Sequence, residues 1–257
     1  MEGSMARLLV INPNTSTRVS QKIDALVRDE IGATAEIHVV TSDYGFDYIS
    51  TRCGVAIAAH AVLDAAAKFI VDQFIPDAIL LACFGDPGRE ALSELTGLPV
   101  VGFAEAGLRA AAAEPGTTLV ATKGSLWCEM LGELVQGLGI SDKIAGIRSV
   151  EHLDDGRSIA KFLAATAAEI GASRIVLGGA GLIGILPEVI ATSEVPVLDP
   201  HRIAIRKAVE MGRSAGHSKA VQPSPQTPVG LSRALCTLLD RRTAGRSASH
   251  AHSVRNC

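Results

Sequence analysis

The sequence predicts an α/β protein of two pseudosymmetric, flavodoxin-like lobes, each a parallel sheet flanked by helices, with the active site in the cleft between them. Three observations carry that expectation. Short apolar runs alternate with stretches of helical periodicity, the pattern of βαβ units and a parallel sheet. Two apolar runs lead into glycine-containing loops of the same build, ACFGDPG at 82–88 and GGAGLIG at 178–184. Landmarks also recur at one spacing: Cys83 and Gly179 stand 96 positions apart and Pro99 and Pro196 stand 97 apart, as in an internal duplication.

The elements follow in order. A strand at 7–11 is ended by Asn12, Pro13, Asn14 and Thr15, after which Val19, Ile23, Leu26, Val27 and Ile31 fall at helical spacing behind a polar N-cap. A strand at 36–41 precedes a polar, aromatic loop at 44–48. Val55, Ala58, Val62, Ala65 and Phe69 then trace an apolar helix face, and His60, Asp64, Lys68 and Asp72 trace a polar one expected to face solvent. A strand at 77–82 enters the Cys83 loop and a short helix to Thr96, followed by a strand at 98–102 and a helix at 105–113. From Thr117 the order starts over: strand 118–122, a helix from Ser125 to Leu138, strand 145–150, helix 159–170, strand 174–177 and strand 195–198. A helix at 201–212 is expected to pack back onto the first lobe. The lobes are therefore 5–104 with 201–213, and 105–200. Residues 214–257 read as a Ser, Pro and Gln-rich linker, a short helix at 231–240 and a disordered basic tail.

Composition bounds the function. The chain has 257 residues, 47% hydrophobic with only 4% aromatic, which describes an Ala, Val, Leu and Ile interior between helices and parallel strands. A net charge of -3 and a pI near 6.2 give no reason to expect nucleic acid or an anionic membrane as partner. Apolar runs are broken by charge at Asp64, Lys68 and Asp72, so no window is expected to span a membrane. The five cysteines, Cys53, Cys83, Cys128, Cys236 and Cys257, are odd in number and form no CxxC pair. They suit reduced thiols better than disulfides or a zinc site, and with no basic-apolar leader a cytoplasmic location is expected. Residues 1–4, ahead of Met5, read as an appended remnant outside the fold.

Ligands of parallel α/β sheets bind beyond the carboxyl ends of the strands. Four loops, 12–16, 83–88, 122–125 and 178–184, would converge there. Cys83 fits a small buried residue as well as a reactive thiol. A free thiol has a pKa of about 8.5, and backbone N–H groups or the helix N-terminus near Gly88 would lower it. Gly85 and Gly88 let amides approach a ligand, while Asn12, Asn14 and Thr15 offer donors for a carboxylate or carbonyl. The segment 12–16 serves equally as a plain turn and helix cap. Such a pocket suits a small anionic or amide substrate whose α-carbanion needs stabilising. No glycine pattern is a Walker motif or a GxGxxG after the first strand, so no nucleotide is expected.

The motifs VINPNTS (10–16), ACFGDPG (82–88), LPVVGFAEA (98–106) and LGGAGL (177–182) resemble the aspartate/glutamate/hydantoin racemase superfamily, and the first two its hydantoin and allantoin racemase branch. The resemblance runs over about residues 7–212. It implies cofactor-independent racemisation by two cysteines, one per lobe, on opposite faces of the substrate α-carbon. It also implies a small-molecule substrate (hydantoin, allantoin or amino acid), no metal, and a homo-oligomer. Cys83 matches the first cysteine. Where the family has LGCAG this sequence has LGGAG, which puts Gly179 at the second position. The substrate-binding positions carry over to Asn12, Thr15, Gly85, Asp86 and Thr122, with Ala180 and Gly181 beside Gly179.

Replacing one thiol by hydrogen removes one hand of a two-base site. Three outcomes stay open. Another group can stand in, either Cys128, which also fits a core residue at a helix start, or His201, which also fits a helix-start role; His60 shares its helix face with charged residues. Cys83 can work alone on one face of a carbanion, as a decarboxylase or stereospecific lyase would require; a related decarboxylase group keeps a single cysteine, in the opposite lobe. Or catalysis is lost and a small metabolite is only bound.

Overall fold

The computed structural model describes residues 5–214 and 227–250, with 242–250 described by backbone alone. Residues 1–4, most of the linker and the tail end at 251–257 lie outside the described residues.

Strand β1 (Ala6–Asn12) is central in the first sheet. It pairs in parallel with β2 (Ala35–Thr41) from Ala6↔Ala35 to Asn12↔Thr41, and on its other side with β3 (Ala78–Leu81) from Leu8↔Ala78 to Ile11↔Leu81. Strand β4 (Val100–Gly102) completes the order β2-β1-β3-β4. The second sheet repeats that order with β5 (Thr118–Thr122), β6 (Ile144–Ser149), β7 (Arg174–Leu177) and β8 (Val197–Leu198) as β6-β5-β7-β8, all parallel. The two prolines do the same work in each copy: Ile79 N–H donates to the Pro99 carbonyl and Ile175 N–H to the Pro196 carbonyl, each at 2.9 Å. Proline has no N–H of its own to give to the ladder, which is why β4 and β8 start only after it.

Strand alternation sorts the core into two faces. Leu8, Val10, Ala78 and Leu80 pack against α1 (Thr17–Ile31), α4 (Phe103–Ala113) and α8 (Pro200–Ser214), in a cluster that continues to Val120, Leu131 and Val176 of the second lobe. Leu9, Ile11, Ile79 and Leu81 face α2 (Arg52–Asp72), α3 (Arg89–Thr96) and α9 (Arg233–His250). In the second sheet Leu119, Ala121, Ile175 and Leu177 face α6 (Gly156–Ile170) and α7 (Leu186–Thr192). The helix after β5 is α5 (Ser125–Gly137).

Three expectations change. Helix α9 runs to His250, past the 231–240 expected, with composition predicting disorder from Arg241; Leu235 and Leu238 seat its first part in the groove of α2 and α3. Asp64 is only 4% exposed, and its carboxylate bonds Lys68 at 2.8 Å, so the polar face of α2 is not a freely solvated one. Among the described residues α2 is the one helix long and apolar enough to cross a membrane, and half of that window is buried inside the protein.

Candidate active site

The C-terminal ends of β1, β3, β5 and β7 open onto a cavity of about 140 Å³. Cys83 follows β3 and Gly179 follows β7, the equivalent strand of the other lobe, and both line it. Thr122, Ala180, Gly181 and Asn14 also line it.

The loop carrying Cys83 is a tight turn in which Asp86 N–H donates to the Cys83 carbonyl at 3.3 Å. Asp86 has φ 48°, the one positive φ among the described non-glycine residues. That conformation turns its carboxylate away from the cavity, where Oδ1 accepts Ala104 N–H at 3.0 Å and Oδ2 accepts Glu105 N–H at 2.7 Å. It caps α4, which has no cap from its own N-cap residue Gly102, and a Cβ at Gly102 would fall 2.1 Å from the carboxyl carbon. Gly85 likewise serves packing: a Cβ there would meet the Trp127 ring at 2.4 Å. The expectation that Asp86 and Gly85 face a ligand therefore gives way to structural roles.

The thiol's environment also reverses an expectation. Cys83 packs with Ile49, Trp127 and Met130, and this burial, aided by the Asp86 charge, pushes its pKa up to about 12. The N-terminus of α3 begins only at Arg89, past the turn. Burial pushes Asp86 itself up to about 7, against the Glu105 and Ala104 amides and Arg89, which pull it down.

Asn12 is fully buried and its amide is consumed locally. Nδ2 donates to Asn14 Oδ1 at 2.9 Å, Ser20 Oγ at 2.9 Å and the Ser16 carbonyl at 3.1 Å, while Oδ1 accepts Asn14 N–H at 3.2 Å. It sets the turn that delivers Asn14, and the cavity lining includes Asn14 in its place. Thr15 is outside the lining; its N–H donates to the Phe46 carbonyl at 3.0 Å and anchors the loop after β2.

Gly179 has φ 136° and ψ 136°, in the left-handed half of the map that favours glycine. Its N–H donates to His201 Nε2 at 3.4 Å. His201 is fully buried, with Nδ1 3.1 Å from Asp199 Oδ1 and its ring edge-on to Phe103 at 4.9 Å. Because Nε2 accepts, the imidazole proton sits on Nδ1 and is donated to Asp199. His201 thus stands behind the Gly179 backbone, outside the cavity lining. Cys128 also lies outside it, on α5, half-buried with its thiol pushed up by burial.

Sequence reasoning missed the cavity's walls. Tyr48 and Ile49 come from the loop after β2, Phe84 from the residue after Cys83, Lys123 and Trp127 from the start of the α5 segment, and Leu182 from the turn after Gly179. Trp127 is the sole tryptophan of the chain, and its Nε1–H donates to the Ile49 carbonyl at 2.8 Å. That singularity, next to the second lobe's first loop, was the available signal. Among the described residues no group of three His, Cys, Asp or Glu side chains could hold a metal ion.

Fold and site define a class: a duplicated parallel α/β protein whose two lobes meet over a cleft with a thiol on one side and a glycine at the equivalent place on the other. The chain belongs to the Asp/Glu/hydantoin racemase family, whose sequence model matches residues 8–208. It is 30% identical over 211 residues to a hydantoin racemase of Paenarthrobacter aurescens, covering 79% of this chain and 89% of that one. The crystal structure of an allantoin racemase from Pseudomonas fluorescens superposes with a TM-score of 0.77 at 25% identity, over 87% of this chain and all (100%) of that one. An allantoin racemase from Klebsiella pneumoniae gives 0.76 at 27% identity, over 90% and 98%. Family and relatives support a racemase-type isomerase acting on a small molecule.

Proposed function

We propose that the protein moves a proton at the α-carbon of a small hydantoin-like or amino-acid-like substrate, without a cofactor, with Cys83 as the acid–base. The observation that carries this reading is that Cys83 and Gly179, which end equivalent strands, line one small cavity from opposite lobes. The Cys83 thiolate takes the α-proton; the C–H electron pair passes into the adjacent carbonyl, and an S–H bond forms. Asn14, Lys123 and the amides of Ala180 and Gly181 are the groups available to the resulting oxyanion. Protonation of the planar carbanion on its other face gives the opposite enantiomer. Gly179 takes the place of the family's second cysteine, and on that side solvent beside the Thr122 hydroxyl supplies the proton.

One observation favours a second reading. A thiol with a pKa of about 12 is a neutral acid at neutral pH, suited to protonating one face of a carbanion made by another step, as in a decarboxylase. The test is incubation of each enantiomer of hydantoins, allantoin, aspartate and glutamate in D2O. Deuterium uptake with inversion supports the racemase reading, and uptake with retention supports one-face chemistry. Binding without exchange for every compound would overturn both and leave a binding protein.

A further inference from the structure

Resting on the proton-transfer reading, we propose that His201 is a positioning residue for that reaction: its imidazole Nε2, fixed as an acceptor by Asp199, holds the Gly179 backbone in place across the cavity from Cys83.

The Gly179 loop has little of its own to hold it. Strand β7 ends at Leu177, and Gly178 N–H still donates to the Ala121 carbonyl at 3.0 Å. Gly179 then takes up φ 136° and ψ 136°, a conformation that the lack of a Cβ permits but does not enforce. Its carbonyl accepts Leu182 N–H at 2.9 Å, a bond within the loop itself. Among the described residues the one side chain bonded to Gly179 is His201, whose Nε2 accepts the Gly179 N–H at 3.4 Å.

An imidazole can do this in only one tautomer, and its neighbours select it. Asp199 Oδ1 lies 3.1 Å from Nδ1 and also accepts the backbone N–H of His201 at 2.9 Å and of Arg202 at 3.1 Å. Burial pushes the Asp199 carboxyl up, but the His201 ring and these N–H groups together hold it below the usual carboxylate range. A carboxylate only accepts, so the ring proton stays on Nδ1 and Nε2 keeps its lone pair for Gly179. Arg202 steadies Asp199 from the other side, with Nε 3.6 Å from Oδ2. Its terminal nitrogens bond Glu30 and Asp29 of α1, each at 2.6 Å. A chain of bonds thus runs from α1 of the first lobe to a loop of the second.

The same ring meets the other half of the site. It is fully buried, edge-on to Phe103 at 4.9 Å and tilted to Phe84 at 6.4 Å between centroids. Phe84 follows Cys83 and lines the cavity. One rigid side chain therefore touches both loops between which the reacting carbon is held in the proton-transfer reading. A leucine would fill its space but give the Gly179 N–H no acceptor, and the loop would shift with its Ala180 and Gly181 amides.

The experiment measures kcat, KM and folded-state melting for His201→Leu, His201→Gln and Asp199→Asn, on whichever hydantoin, allantoin or amino-acid enantiomer the unmodified protein exchanges fastest in D2O. His201→Leu should lower kcat about tenfold or more with KM held within about twofold, the mark of lost alignment at the reacting carbon. His201→Gln places an amide oxygen near the position of Nε2 and should recover kcat to within about threefold of the starting protein. Asp199→Asn still caps α8 but frees the ring to carry its proton on Nε2, donor against donor, and should lower kcat about fivefold. Nitrogen NMR of labelled histidine should show one buried imidazole protonated on Nδ1 in the unmodified protein and a changed tautomer in Asp199→Asn. A kcat within twofold of the starting value in His201→Leu, equal losses in the Leu and Gln variants, or a loss carried by KM overturns the inference while leaving proton transfer intact. If His201→Leu fails to fold, an unchanged kcat in Asp199→Asn overturns it and a lowered one with the tautomer change upholds it. Exchange in no compound by the unmodified protein overturns the proton-transfer reading, and this inference with it.

Discussion

Phe84 lies across Gly178: a Cβ on that glycine would fall 2.3 Å from the ring. Trp127 lies across Gly85 in the same way, at 2.4 Å. Each lobe therefore lays an aromatic ring on a glycine of the other. Gly85→Ala and Gly178→Ala should each cost about 1–3 kcal/mol of stability through overpacking, read from denaturant midpoints. Because Trp127 is the sole tryptophan, Gly85→Ala should also shift its emission to the red; an unshifted spectrum would show that the ring has not moved.

Cys83→Ser should lower exchange by at least about a hundredfold, the usual worth of a positioned acid–base. Cys128→Ser should leave it within about twofold, since Cys128 is outside the cavity lining. If Cys128→Ser abolishes exchange in a folded protein, Cys128 and not solvent serves the second face.

The thiol pKa of about 12 fixes a sign for the pH profile. The raised value keeps the thiolate scarce at neutral pH, and its share grows about tenfold per pH unit below that pKa. If Cys83 starts as a base, kcat/KM for racemisation climbs with pH across 7–10. A flat profile there assigns it the acid role of one-face chemistry.

Gly179→Cys tests the proposed role of that position directly. A Cβ at Gly179 meets only Thr122 Oγ1 at 3.4 Å and Leu182 Cδ1 at 3.7 Å, so space is available, but φ 136° strains any L-residue. The variant should lose about 1–3 kcal/mol. Inversion relative to total deuterium uptake should rise; an unchanged ratio would mean that position 179 does not face the reacting carbon.

Asp86 gives a stability prediction with a definite direction. Its carboxyl is raised to about 7 in the fold from an ordinary value of 3.8. The folded state therefore binds the proton more tightly than the unfolded chain, and the stability linked to it is full below about pH 4 and lost as pH rises through about 7. The slope is up to about 1.4 kcal/mol per pH unit. Asp86→Asn should flatten that slope in urea titrations at pH 4–7, and should cost about 1 kcal/mol because the amide caps α4 less well.

Much of the fold was legible because β-strand and helix periods differ and because the second half repeats the landmarks of the first. The Cys83 loop and the Gly179 loop could be found for the same reason. What could not be read was distance in space between residues far apart in the chain. The burial that raises the thiol's pKa comes in part from packing with Ile49, Trp127 and Met130, none of which is near Cys83 in sequence, so local logic about a helix N-terminus gave the wrong sign. Asn12 and Asp86 look like ligand-facing polar residues until their hydrogen bonds are traced to their own turn and to α4. The docking of helix α9 was hidden because Leu235 and Leu238 become core only where α2 and α3 provide a groove.

The ring-on-glycine contacts between the lobes are not copies of one another. The duplicated frame sets Gly179 opposite Cys83, and so Ala180 opposite Phe84 and Gly178 opposite Ala82. The first half carries the Phe84 ring but has Ala82 where the second has Gly178, so two copies of the first half could not clasp each other as these halves do. The lobes are no longer interchangeable: each has become the other's obligate template, and a change in the ring of one must be answered by the glycine of the other.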